Sequence, residues 1–438
     1  MILHTNFKAA VVALSMAFSM PAIAQLELDC SHDSTGLIPL TDFGYSYYGP
    51  FRGGLYPGFM NEMPETHLNK GKALSNSMVP LDGEGNVDWE TGNILMIGMG
   101  GSTASNAFNS MTDTLNTWDY EGVNPCMKLK GLFYGGKDLQ DMINTTDPFY
   151  WNYLQDKLDA RGDTWDNIQI VWMQTHSELP TYDSIAFVKT LVSQYITLLQ
   201  RMQDSMANVK QVFFTGFHYT GYTHPSHELY NVLSEPKAYW GNIAIKILIE
   251  RQIAGDPELA FEGPNKKVPY IAWGPYWWAD GENPRASDGL TWSCSEYRDD
   301  DTGGGFHLED SGKGKEALMF IDFLATNEVT SKWYLDGAAW ADCPNNVRKA
   351  DTDQKQDALH VYPNPADAWL TLTVPSEVTG NVYCTLADMH GRVVMSDYVS
   401  VQHTRSFSIE TGNYMNGMYQ LTLSTDQGAF SSRILIQH

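Results

Sequence analysis

Two segments roughly two hundred residues apart carry the side chains best suited to chemistry. Ile94-Leu-Met-Ile-Gly-Met-Gly-Gly-Ser102 reads as a buried strand that ends in a glycine turn and hands a serine to the start of a helix. Gly303-Gly-Gly-Phe-His307-Leu-Glu-Asp-Ser-Gly312 sets a histidine on a glycine-rich loop just before the last long helix. A hydroxyl attacks a carbonyl only if a base takes its proton, and imidazole is the side chain suited to that task near neutral pH. The turn before Ser102 leaves helix N-terminal N–H groups beside it, where they would steady an oxyanion. The competing reading of Ser102 is a plain helix cap, with Ser105 as a local rival for the nucleophile.

A histidine acting as base is oriented by an acid. Asp299-Asp-Asp301 precede His307 and Glu309-Asp310 follow it, and all five are candidates for the orienting carboxylate. Gly136, or its neighbour Gly135, follows the second strand and would offer a backbone N–H to the oxyanion beside that of Ser102. His176 follows the third strand and is read as substrate-pocket lining. The run Trp273-Gly-Pro-Tyr-Trp-Trp278 follows the fifth strand, and Tyr276, Trp277 and Trp278 are read as a pocket wall for a sugar face or an acyl group. His224-x-x-His227 fits no common metal-ligand spacing. The expectation is therefore no metal and no cofactor.

Several elements must position these residues. Short apolar runs predict strands over Ile94–Gly98, Leu129–Tyr134, Ile168–Met173, Gln211–Thr215 and Val268–Trp273. Phe187, Val188, Leu191, Val192, Tyr195, Leu198, Leu199 and Met202 recur at helical spacing on one face. Continuous apolar strands alternating with helices imply an α/β fold: a doubly wound, flavodoxin-like parallel sheet of about five strands. Ligands bind such sheets outside the carboxyl ends of the strands. Residues 25–89 are rich in Gly, Pro, Asn and Tyr and predict loops and short strands. The α/β domain is placed at 90–344, a linker at 345–358, and a small β-sandwich at 359–438, with short alternating strands between regularly spaced turns.

Residues 1–24 read as a signal peptide, Lys8 preceding a short apolar run and an Ala22-Ile-Ala24 cleavage site. No segment is apolar for long enough to span a bilayer. A formal net charge of −24 disfavours nucleic acid and anionic membranes as partners. Export makes disulfides among Cys30, Cys126, Cys294 and Cys343 feasible, with the pairing open.

Two resemblances follow. Phe133-Tyr-Gly-Gly-Lys, Gln169-Ile-Val-Trp-Met, Ser234-Glu-Pro-Lys-Ala-Tyr-Trp, Ala272-Trp-Gly-Pro-Tyr-Trp-Trp and Phe306-His-Leu make the central region resemble the SGNH (GDSL-like) hydrolase superfamily, in particular a secreted bacterial group. The resemblance implies an esterase acting on a small-molecule or polysaccharide ester. Ser102 matches the nucleophile of the first block, with Gly101 where that block carries aspartate, and Gly136 matches the oxyanion glycine of the second. Gln174-Thr-His176 stands where the third block has asparagine. Gly304 stands where the last block has aspartate three residues before its histidine, so Asp301 takes that role only if the loop bulges. These departures leave open a catalytically degenerate surface protein that binds glycans on its aromatic rim. The C-terminal segment, with Tyr362-Pro-Asn-Pro-Ala366, Gly391-Arg, Gly417-Met-Tyr419 and Arg433-Ile-Leu-Ile436, resembles the type A sorting domain of type IX secretion. That implies a Bacteroidetes lineage, export across the outer membrane and the type IX machinery as partner.

Overall fold

Five apolar runs form parallel strands: β1 (Ile94–Gly100), β2 (Met127–Phe133), β3 (Ile168–Gln174), β4 (Gln211–Phe214) and β5 (Tyr270–Trp273), in spatial order β2-β1-β3-β4-β5. β1, β3, β4 and β5 are buried at every position, so they show no polar alternation: helices cover both faces. β2 closes one edge and is buried only at its ends. In this computed structural model of the 438-residue chain, residues 28–117, 122–299, 304–343, 360–374, 381–388, 393–400, 406–425 and 428–438 are described. The expected signal peptide (1–24), Asp301 and the linker over 345–358 lie outside the described residues.

The helices are α1 (Glu65–Asn76), α2 (Ser102–Thr117), α3 (Leu139–Ile143), α4 (Phe149–Asp159), α5 (Ser184–Ser205), α6 (Tyr230–Leu233), α7 (Lys237–Ile253), α8 (Asp310–Thr326) and α9 (Ser331–Tyr334). α2 packs on α8, and α5 packs on α3 and α7. All eight residues of the stripe predicted in α5 are buried. The Asp183 carboxylate starts that helix by accepting the Ala186 N–H at 2.7 Å.

α1 departs from the reading of residues 25–89 as loops and short strands. Its buried positions are His67, Gly71 and Ser75, a stripe at four-residue spacing with no large apolar member. Hydrophobic periodicity is blind to such a stripe. His67 Nε2 donates to the Ile271 carbonyl at 2.9 Å, Ser75 Oγ reaches the Val329 carbonyl at 2.8 Å, and Gly71 lets the Tyr270 ring approach. The helix is held by hydrogen bonds and close packing in place of an oily face.

Beyond the α/β unit, seven strands among the described residues form two antiparallel sheets. One has the order β9-β8-β11-β12 and the other β10-β7-β6, from β6 (His360–Tyr362), β7 (Trp369–Thr373), β8 (Asn381–Asp388), β9 (Val393–Ser400), β10 (Ser406–Glu410), β11 (Gly417–Thr425) and β12 (Gly428–Ile436). Leu370, Leu372, Val382, Leu386, Leu421, Leu423, Ile434 and Ile436 fill the space between, with the Cys384 thiol buried among them.

The strand order brings the chemistry together. β1 lies between β2 and β3, and Gly100 is the register partner of both Phe133 and Gln174. The segments leaving these three strands therefore meet at one edge, where the connections from β1 part company and a crevice forms.

Candidate active site

Ser102 opens α2 directly after β1. Gly100 is at φ +147°, and a Cβ there would collide with the Gln174 carbonyl oxygen, so only glycine makes this turn. Ser105 N–H bonds the Gly101 carbonyl at 3.0 Å, the first bond of the helix, so the N–H groups of the first turn remain directed outward. The loop after β2 lies alongside: a Cβ on Gly135 would sit 4.0 Å from the Ser102 Cβ, and Gly135 and Gly136 are both exposed.

His307 sits on the loop before α8 and is 7 % exposed. Two segments pin it. Tyr297 bridges Leu308 in antiparallel fashion, and Arg298 N–H donates to the His307 carbonyl at 2.9 Å. Gly305, at φ +81°, presses against the Thr223 backbone with no room for a side chain. Beneath the loop, His218 Nε2 lies 3.0 Å from the Phe306 carbonyl and Nδ1 lies 2.8 Å from Glu316 Oε1. A carbonyl oxygen only accepts, so Nε2 carries a hydrogen, and one further proton is shared between Nδ1 and the carboxylate. Burial raises the affinity of Glu316 for that proton, and the imidazole opposes the shift. Both side chains are 2 % exposed. Glu316 was not singled out in the sequence; its place on the buried face of α8, beside Ala317 and Phe320, was the available sign.

The two loops converge so that Ser102 Oγ lies 2.8 Å from His307 Nε2 across 205 residues of sequence. That is hydrogen-bond distance for a hydroxyl donating to an imidazole nitrogen. Of the acids flanking His307, Asp299 accepts the Leu28 N–H at 3.0 Å, and Glu309 and Asp310 are exposed at the start of α8. Asp301 is outside the described residues. Thr175-His176-Ser177 leaves β3 after Gln174, the register partner of Gly100. Desolvation pushes the His176 imidazole down to about 4, against the pull of the Asp138 carboxylate, so His176 stays neutral through the physiological range.

The aromatic rim is not where the sequence reading put it. Trp277 and Trp278 are completely buried and Tyr276 is 7 % exposed. Trp277 packs against Trp172 and Phe320, Trp278 Nε1 donates to Glu235, and the Tyr276 hydroxyl accepts the Leu40 N–H. All three belong to the core; a cluster of large rings after a strand buries more apolar area than it could usefully expose. His224 Nδ1 accepts the Ser226 N–H and His227 Nδ1 the Leu229 N–H. Among the described residues no three His, Cys, Asp or Glu gather as metal ligands.

Glu235, behind the aromatic cluster, accepts N–H groups of Thr220, Tyr239 and Trp278, yet desolvation outweighs them and pushes its carboxyl up to about 7. Because the folded value exceeds the unfolded one, its stabilising contribution is complete below the ordinary carboxyl range. It is lost as pH rises through 7. Wild-type stability relative to Glu235→Gln is expected to fall by up to about 3 kcal/mol between pH 5 and pH 8. Urea unfolding of both proteins at the two pH values measures this; parallel curves would contradict it.

At the other end of the chain the comparison with known proteins is decisive. Residues 360–437 match the secretion system C-terminal sorting domain. This segment is a type IX sorting domain. The sorting domain sends the chain to the cell surface or the medium through the type IX machinery, and it supports a Bacteroidetes source. Among the described residues no helix is long and apolar enough to cross a membrane. No sequence among the curated proteins matches the chain. Two solved structures show faint likeness. A DUF4886 family protein from Bacteroides uniformis has a TM-score of 0.30 at 12 % identity, covering 56 % of this chain and 88 % of its own. An endo-beta-1,4-mannanase double mutant from Cellulomonas fimi has 0.16 at 13 %, covering 70 % and 54 %. Scores this low establish no common fold family.

Proposed function

We propose that the exported chain is a serine esterase of the SGNH type, built on a flavodoxin-like sheet and acting on an acylated carbohydrate or another small ester. The observation that carries this reading is the 2.8 Å contact between Ser102 Oγ and His307 Nε2 at the carboxyl edge of the sheet. In the reaction, Ser102 Oγ bonds to the ester carbonyl carbon while its proton passes to His307 Nε2. The carbon–oxygen bond to the alcohol then breaks and the alcohol leaves with that proton. Water repeats the sequence on the acyl-serine: its oxygen bonds to the carbonyl carbon, its proton passes through His307 to Ser102, and the acid is released. N–H groups at Ser102 and Gly136 would receive the oxyanion, each worth about 3 kcal/mol of barrier. Asp301 is assigned to orient His307 on its sequence position alone. The burial of Tyr276, Trp277 and Trp278 favours this reading over glycan binding on that run.

Hydrolysis of p-nitrophenyl acetate and release of acetate from acetylated polysaccharide test the reading; a folded protein that does neither would contradict it.

The disulfides sharpen the test. Cys30–Cys294 spans 264 residues and Cys126–Cys343 spans 217. The first anchors the segment that runs from Cys294 to Arg298 and braces His307; the second lies at the amino ends of β1 and β2, where the Cys126 carbonyl accepts the Ile94 N–H. Removing either pair is expected to cost roughly 3–5 kcal/mol of stability. Only Cys30→Ala with Cys294→Ala should also lower kcat. Thermal unfolding and ester turnover, measured side by side, separate the two effects.

A further inference from the structure

β1 lies between β2 and β3, so a tie between the segments leaving β2 and β3 spans the carboxyl end of β1, where Ser102 begins α2. Backbone and side chain both make such a tie. The Leu139 N–H donates to the His176 carbonyl at 2.8 Å, and the Glu178 N–H donates to Asp138 Oδ2 at 2.8 Å. The same loop also presses on the nucleophile turn. The Tyr134 N–H donates to the Gly100 carbonyl at 3.1 Å, and a Cβ on Gly101 would come within 3.3 Å of the Lys137 carbonyl oxygen. Gly135 and Gly136 therefore sit between an anchor at Tyr134 and an anchor at Asp138.

Asp138 does more than cap α3. Its Oδ1 accepts the Gln140 and Asp141 N–H groups at 2.8 and 3.2 Å, which is the ordinary work of an N-cap. A cap needs one acceptor, and serine or asparagine supplies it as well. The second oxygen serves the bond to Glu178, 40 residues on. That bond is charge-assisted, and at 5 % exposure the side chain is shielded from competing water.

We infer that Asp138 is a positioning residue for the oxyanion site, holding the 135–137 loop so that the Gly136 N–H meets the oxyanion beside Ser102. An oxyanion donor counts only where it is fixed in advance, and a shift of about an ångström forfeits much of its effect. The inference rests on the hydrolase reading of Ser102 and His307.

The test compares wild type with Asp138→Ser and Asp138→Asn. Serine keeps a capping oxygen but is too short to reach Glu178. Asparagine keeps the length but has one acceptor oxygen for both duties, and it serves if the serine variant fails to fold. Two readouts are taken: kcat and KM on p-nitrophenyl acetate, and amide hydrogen exchange followed by mass spectrometry, which needs no turnover. In the folded variants kcat should fall at least about tenfold with KM changed less than about twofold. Exchange in the peptide over 134–138 should quicken at least about tenfold, while that of β1 and α5 stays as in wild type. Wild-type kcat and exchange in a folded variant would reduce Asp138 to a helix cap, and exchange quickened evenly through the domain would reduce it to general stability; either overturns the inference. A wild type that turns over no ester, with exchange over 134–138 still quickened in the variants, overturns the hydrolase reading and leaves Asp138 as the tie between the two loops.

Discussion

Ser102→Ala is expected to lower kcat on a simple ester by about 10⁴-fold or more, with unfolding temperature nearly unchanged. A serine and its base act as a unit, so deleting either removes almost all of the nucleophilic route and leaves only what binding and the oxyanion donors supply. His307→Ala should match it in size, and the double variant should be no worse than either alone. Ser105→Ala is the internal control. Ser105 accepts the Asn109 side-chain N–H at 3.1 Å, one turn along α2, and its loss should change kcat less than about twofold. Were Ser105→Ala the damaging variant, the nucleophile would be misassigned. Steady-state kinetics of the four proteins decides the matter.

A large loss of stability is expected at Glu316. Its carboxylate is the partner of His218 in a buried pair, and the pair holds the Phe306 carbonyl directly before His307. Glu316→Ala strands an imidazole in the core, which typically costs about 3–5 kcal/mol. It should lower the unfolding temperature by roughly 10 °C. Because Phe306 loses its anchor, His307 should drift from Ser102, and a displacement of about an ångström is expected to reduce kcat about 10²-fold in whatever remains folded. Glu316→Gln keeps a hydrogen-bonding group opposite Nδ1 and should be milder on both counts. A Glu316→Gln variant indistinguishable from wild type would show that the carboxylate acts only by filling space. Calorimetry with kinetics at a temperature below both transitions gives the answer.

Much of this was legible in the sequence because it rests on patterns that survive without coordinates. Five apolar runs and one long amphipathic stripe define the sheet and α5. The glycine turn before Ser102 and the loop around His307 mark two residues that the strand order then brings into contact. What stayed hidden shares a physical character. α1 is fixed by His67, Gly71 and Ser75, whose hydrogen bonds and small size leave no hydrophobic trace. Trp277 and Trp278 could be read as rim or core, since ring type says nothing of which way a strand end turns. Glu316 is an isolated polar residue whose meaning depends on His218 opposite it. The pairing of the cysteines, too, depended on which chain ends meet.

The central claim is that the Ser102 hydroxyl is a nucleophile activated by His307. Its most direct test is to expose the folded protein to a fluorophosphonate and locate the adduct by peptide mass spectrometry. A single adduct on the peptide bearing Ser102, lost in Ser102→Ala and strongly slowed in His307→Ala, is the predicted result. An unlabelled wild type, or an adduct on any other residue, would contradict it.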